Sequence, residues 1–225
     1  MSVLQAVWPR SLEFAGTILG STFVFSALVI IWAARISQGR DVYVSELGAP
    51  GEPTARWFEV ALLLIVAGGS LIAYAARGIR SRLPVFSGWA PAVSLWVGCG
   101  FFLVASQITC TRGCPLPVGS NFSWQDLTHI IVAVLAFAAA CIGMLQVSFA
   151  DGHRSLALLS FVCGVAVAVI AAAGGILSLA RFRTDVGSRF ELVATTIALG
   201  WLLALGVMLA LKTTRFVVER AGTID

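Results

Sequence analysis

Residues 127–150 read LTHIIVAVLAFAAACIGMLQVSFA, an unbroken stretch without an Asp, Glu, Lys or Arg. A helix crosses the hydrocarbon core of a bilayer in about 20 residues, so this stretch is long enough to span. It does not alternate polar and apolar positions as a membrane β-strand does. In hydrocarbon every backbone N–H and C=O needs an internal partner, which leaves the helix. Five more blocks of the same kind occupy about Phe14–Ala34, Phe58–Ala76, Pro91–Thr109, Leu156–Ala180 and Leu192–Leu211. The sequence therefore predicts an all-α, polytopic membrane protein, a six-transmembrane-helix bundle that forms a single transmembrane domain over residues 1–225.

Composition agrees with that reading. The chain is 59% hydrophobic and only 12% charged, with a mean hydropathy of +0.94. A soluble domain carries about 25% charge, so most of this surface is not built for water. The net charge of +4 rests almost wholly on arginine, with Lys212 the single lysine. No basic run is interleaved with aromatics, which argues against a nucleic-acid partner; a modest positive balance here speaks of anionic headgroups and loop orientation. The first block exceeds the 7–15 residues of a signal-peptide core and reads as the first span. The abundance of Arg and Ala points to a bacterial host, and so to its plasma membrane.

Lysine and arginine set the orientation weakly. One side collects Arg10, Arg77, Arg80, Arg82, Arg154, Lys212, Arg215 and Arg220; the other collects Arg35, Arg40, Arg56, Arg112, Arg181, Arg183 and Arg189. The cluster Arg77-Gly78-Ile79-Arg80-Ser81-Arg82 in a short loop favours both termini in the cytoplasm. Small residues recur within the spans, notably Gly16 and Gly20, Gly68 and Gly69, Gly98 and Gly100, Gly174 and Gly175. Close packing inside one bundle accounts for them, and a homodimer face is the sharper alternative.

Chemistry-bearing residues cluster in what this topology makes the outer loops. Cys99, Cys141 and Cys163 lie within spans as small buried hydrophobes. Cys110 and Cys114 flank a Thr-Arg-Gly turn, and three states remain open to them: a disulfide, two free thiols, or half of a metal site. An oxidising compartment favours the disulfide, which the spacing allows if the turn brings the Cα atoms to about 4.4–6.8 Å. Zinc would need two further ligands, so no metal is expected. Asp126 and His129 are three residues apart, on one helix face. They read either as an oriented acid–base couple or, through Ser123-Trp124-Gln125-Asp126, as a helix cap with His129 at headgroup level. Ser188-Arg189-Phe190-Glu191 repeats the cap pattern before span six. Ser45-Glu46-Leu47-Gly48 precedes no helix start, and Glu46 reads as a site carboxylate or a solvated loop acid. His153 falls in a short loop, and Asn121-Phe122-Ser123 matches a glycosylation sequon.

The chain carries no phosphate-binding glycine loop, nucleophile elbow, His-Glu-x-x-His or haem-attachment pair, and no cofactor is expected. No span bears the run of buried charges of an ion pump. Tyr43-Val44-Ser45-Glu46-Leu47-Gly48-Ala49, the Cys110–Pro117 stretch, and Asp126 with His129 together resemble a bacterial six-helix membrane family of unknown function, distantly akin to the eukaryotic DRAM-type and GPI-anchor lipid-remodelling proteins. That resemblance implies a six-helix bundle acting in lipid handling, with Ser45, Glu46, Asp126 and His129 as the polar residues to test. The resulting expectation is a lipid-modifying or lipid-binding protein of the outer leaflet. Glu46, Asp126 and His129 are its candidate catalytic groups, Ser45 and Glu191 candidate binding groups, and membrane lipids its partners. The alternative is a non-catalytic accessory subunit or assembly factor whose partners are other membrane protein subunits.

Overall fold

A computed structural model of the chain describes residues 3–115, 122–150, 154–180 and 182–221, with side chains between positions 12 and 214. Its elements are α1 (Val3–Ser37), a 3-10 turn η1 (Ser45–Gly48), α2 (Ala55–Ala76), a one-turn helix α3 (Pro84–Ser87), α4 (Pro91–Gln107), α5 (Trp124–Ser148), α6 (Arg154–Leu179) and α7 (Thr184–Ala221). Helices α1, α2, α5, α6 and α7 are long and apolar enough to cross a membrane. Helix α4 is apolar but has 17 residues. At about 1.5 Å per residue it is shorter than the hydrocarbon core, about 30 Å thick.

Local chemistry sets the helix ends. Pro91 opens α4, where its missing N–H costs nothing, and Ala90 before it is extended. Ser123 caps α5, its side chain accepting the N–H of Asp126. Gly39, at a φ of +62°, turns the chain after α1. Helix α7 begins at Thr184 rather than at Leu192, so Ser188 and Glu191 lie inside it.

The long helices close into a ring. Helix α1 packs on α2 and α7, α2 on α4, α4 on α5, α5 on α6, and α6 on α7. Backbones meet closely where glycines face each other: a Cβ on Gly20 would fall 2.8 Å from the Gly68 carbonyl oxygen. Gly98 likewise faces Ala136 and Ala139 of α5, and Gly174 faces Phe190 of α7. These four glycines serve packing within the bundle, the arrangement expected where lipid tails supply no hydrophobic drive between helices. Gly16, Gly100 and Gly175 meet open space. Large apolar side chains such as Phe25, Val162, Val169 and Ile176 project outward, as lipid contact requires.

The chain between α1 and α2 folds back onto the bundle. Val42, Val44, Leu47 and Ala49 are buried. Backbone polar groups cannot enter an apolar interior unpaired, and η1 pairs them locally: Glu46, Leu47 and Ala49 donate to Tyr43, Val44 and Glu46 respectively. Thr54 Oγ1 donates to the Leu47 carbonyl at 2.9 Å. Loop one thereby becomes a plug over one end of the ring.

Candidate functional site

Four segments meet at that end: the loop-one plug, the turn after α4, and the N-terminal parts of α5 and α7. Glu191 joins two of them. Its carboxylate accepts the N–H of Val44 at 2.7 Å and of Ser45 at 3.2 Å, tying the plug to α7. The cap read from Ser188–Glu191 is thus corrected. Ser188 Oγ donates to the Asp185 carbonyl within the helix, and Glu191 holds a distant loop.

Asp126 is corrected in the same way. Ser123 is the cap of α5, but the Asp126 carboxylate turns to the preceding loop. It accepts the Thr111 N–H at 2.7 Å and the Thr111 hydroxyl at 3.0 Å while wholly buried. It therefore fixes the turn that carries the cysteines. Cys110 and Cys114 are joined by a disulfide with Cα atoms 5.2 Å apart. Cys110 Sγ lies 3.4 Å from the Ser45 carbonyl oxygen and Cys114 Sγ 3.6 Å from Ser45 Oγ. The turn therefore packs on the plug.

His129 sits beneath, 3% exposed. Its Nδ1 is 2.6 Å from the Ile108 carbonyl oxygen. A carbonyl only accepts, so Nδ1 carries the proton and, in the neutral ring, Nε2 presents its lone pair. That Nε2 is buried and has no hydrogen-bond partner among the described residues. His129 lines an apolar cavity of about 90 Å³, whose polar lining residues are Ser45, His129, Glu191 and Thr195. Phe58, Leu62, Leu95, Phe102, Phe137 and Leu202 wall the remainder.

Glu46 does not line the cavity. It is buried rather than solvated, and its carboxylate pairs with Arg40 at 2.9 Å. Glu52, which sequence reasoning passed over, is buried beside it. It accepts from Gln38 at 3.1 Å and from Arg112 at 2.9 Å, with Arg40 at 3.7 Å. Burial alone would push the Glu52 carboxyl up, but the Gln38 and Arg112 hydrogen bonds and the charges of Arg112 and Arg40 outweigh it and hold it below its usual range. Asp41, also passed over, bonds Arg189 and Arg35, each at 2.7 Å. Hydrogen bonds from those two guanidiniums hold its carboxyl low. Arg35 also donates to the Arg40 carbonyl. The sequence signal for both acids was their place among Arg35, Arg40 and the turn residues Pro50-Gly51-Glu52-Pro53, a charge density unusual for this chain. His153, Leu116-Pro117 and Asn121 of the sequon lie outside the described residues.

The site thus has two layers. An outer layer of ion pairs locks loop one. An inner layer places a serine hydroxyl, a buried carboxylate, two sulfurs and a free imidazole nitrogen around the head of an apolar cavity. Such a head can accept a proton, take a hydrogen bond from a ligand, or hold a cation. Fold and site together define a multi-pass helical membrane protein with a polar-headed cavity at one end. The chain belongs to the family described as protein of unknown function (DUF998), whose model matches residues 17–208. No curated protein and no solved structure matches the chain significantly.

Proposed function

We propose that this protein handles lipid, taking one hydrocarbon chain into the cavity while Ser45, His129 and Glu191 meet the polar end of the molecule. The observation that carries the reading is the cavity itself, walled mainly by apolar side chains with Ser45, His129, Glu191 and Thr195 as the few polar residues of its lining. Ligand sites commonly combine a mainly apolar lining with a few fixed polar groups. At about 90 Å³ it is well below the roughly 300 Å³ at which pockets for whole drug-sized molecules begin. One stretch of alkyl chain fits that space; a complete two-chain lipid does not.

In this reading α4 is the sixth span, its shortness met by its packing between α2 and α5. The site then faces the outer leaflet of a bacterial plasma membrane, with both termini in the cytoplasm. Arg77, Arg80 and Arg82 at the opposite end support that direction.

The test is purification from native membranes followed by mass spectrometry of bound lipids and proteins. Wild type is expected to retain a single-chain or chain-inserted lipid, and Ala133→Phe, which fills the cavity from α5, to lose it. Equal lipid retention by the two would overturn the reading. A stoichiometric protein partner without bound lipid would overturn it in favour of an accessory subunit.

A further inference from the structure

We propose that reduced Cys110 and Cys114, with Nε2 of His129, form a metal site for a zinc-class divalent cation, and that the disulfide is the oxidised, metal-free state of the same site. This goes beyond the lipid reading and does not depend on it.

The Sγ atoms of Cys110 and Cys114 and a ring nitrogen of His129 all lie within 4.8 Å of one another. Ligand atoms around one tetrahedral zinc, with Zn–S near 2.3 Å and Zn–N near 2.0–2.1 Å, stand about 3.5–3.8 Å apart. Closing the set needs movements of about 1 Å, and breaking the S–S bond frees both sulfurs to make them. Three residues separate the cysteines, within the two-to-four spacing common in zinc sites.

The second observation is independent of the thiols. His129 is buried, and its Nε2 has no partner among the described residues. Its Nδ1 is engaged with the Ile108 carbonyl, the outer-shell bond that fixes tautomer and ring angle in metal-bound histidines. The nitrogen left over, Nε2, is the one free to take a metal. Asp126, through Thr111, braces the turn between the ligands. The fourth position falls to water, as in open zinc sites with three protein ligands, with the Ser45 hydroxyl alongside.

The exchange balances. A dithiol reductant attacks the more accessible Cys114 sulfur, Cys110 leaves as thiolate and takes up a proton, and the second thiol of the reductant releases Cys114. Two electrons pass to the pair, two protons end on its sulfurs, and the reductant becomes a disulfide. Zinc then displaces both protons and takes Nε2 as third ligand. Oxidation by a disulfide-class oxidant re-forms the S–S bond and releases the ion.

The full chain in nanodiscs, reduced with a dithiol and freed of it, is titrated with Co²⁺ and then Zn²⁺. One equivalent of Co²⁺ is expected to raise a thiolate-to-cobalt charge-transfer band and the intense visible bands of a tetrahedral site. Zn²⁺ is expected to abolish both, and the oxidised protein to show neither. His129→Ala should weaken binding by more than about 10-fold, the low end of what losing even an outer-shell partner costs. A cooperative thermal transition in each variant guards against misfolding. Because a variant can fail to fold, X-ray absorption on the zinc-loaded wild type supplies a direct reading, expected to give two sulfurs and one imidazole nitrogen. Absence of cobalt binding by reduced, folded protein would overturn the proposal, as would a zinc shell without imidazole or unchanged affinity in folded His129→Ala.

Discussion

The two ends of the bundle both bury polar groups, but with opposite chemistry. At the end away from the plug, Gln146 is wholly buried. It donates to the carbonyls of Phe86 and Trp89 at 3.2 and 3.1 Å and accepts from Ser94 at 2.7 Å. Trp89 Nε1 completes the set by donating to Ser94 at 2.8 Å. Every member is neutral, and both functions of the Gln146 amide are used. The network pins α3 and the start of α4 to α5. A further backbone bond, Arg82 N–H to the Phe149 carbonyl at 2.9 Å, joins the two loops there. Arg77 and Glu13 pair across α2 and α1 at the same end.

The plug end buries ionisable groups instead: Glu46, Glu52, Asp126 and His129, with Glu191 half-buried beside them. Desolvating such groups is costly, and a neutral amide network would hold the loop at less cost. Two nitrogens there, Arg35 Nε and His129 Nε2, stay without a partner among the described residues, and of the two only the imidazole nitrogen offers a lone pair. A closed neutral network is what structure alone requires. Buried charge with an open lone pair is what a site requires.

The comparison sharpens most at Glu191. Glu191→Leu leaves the Val44 and Ser45 N–H groups buried without an acceptor. At roughly 1–3 kcal/mol for each such group, the loss should reach roughly 2–6 kcal/mol. It should appear as a lower Tm in detergent and as faster proteolysis in loop one. A variant as stable as wild type would mean that the plug does not rest on α7.

Gln146→Leu tests the other end. It strands two carbonyls and one hydroxyl, but no charge is involved and the amide is replaced by a side chain of similar size. The expected loss is about 1–3 kcal/mol, read as a fall in Tm with no change in cobalt binding or lipid retention at the far end. A change in either readout would show that the ends are coupled and would weaken the contrast.

The smallest effect concerns pH. Glu52 is held below its ordinary value, so it contributes stability that is fully present above the unfolded value of about 4.5. That stability is lost as pH falls through the lower folded value. Glu52→Gln should be less stable than wild type at neutral pH, and the gap should close on acidification below about pH 4.5. Thermal melts between neutral pH and pH 3 check this. A gap that widens in acid would reverse the sign and place Glu52 outside the outer layer of ion pairs.

Much of the site's membership was legible, because ionisable and thiol residues are rare in this chain and therefore conspicuous. Ser45, Cys110, Cys114, Asp126, His129 and Glu191 all stood out before any coordinates. Their roles were not legible. Asp126 and Glu191 each sit three residues after a serine, a spacing that local chemistry reads as a cap. In three dimensions their carboxylates serve backbone groups from other segments, Thr111 and Val44-Ser45. Glu46 and Glu52 are neighbours in a loop, and nothing local distinguishes a loop acid in water from one buried under arginines.

What the sequence determined by itself is the helical, membrane-spanning character, because hydrocarbon leaves a long uncharged run no other way to satisfy its backbone. It also singled out the few ionisable and thiol residues from which the candidate site is built. Tertiary structure alone decided that loop one closes the ring as a plug and that Glu52 and Asp41 lock it. It also decided that His129 stands beside the Cys110–Cys114 turn. Fourteen or more residues separate the histidine from either cysteine along the chain. Which ring nitrogen is left free depends on where the Ile108 carbonyl falls, and that is fixed by how α4 and α5 pack.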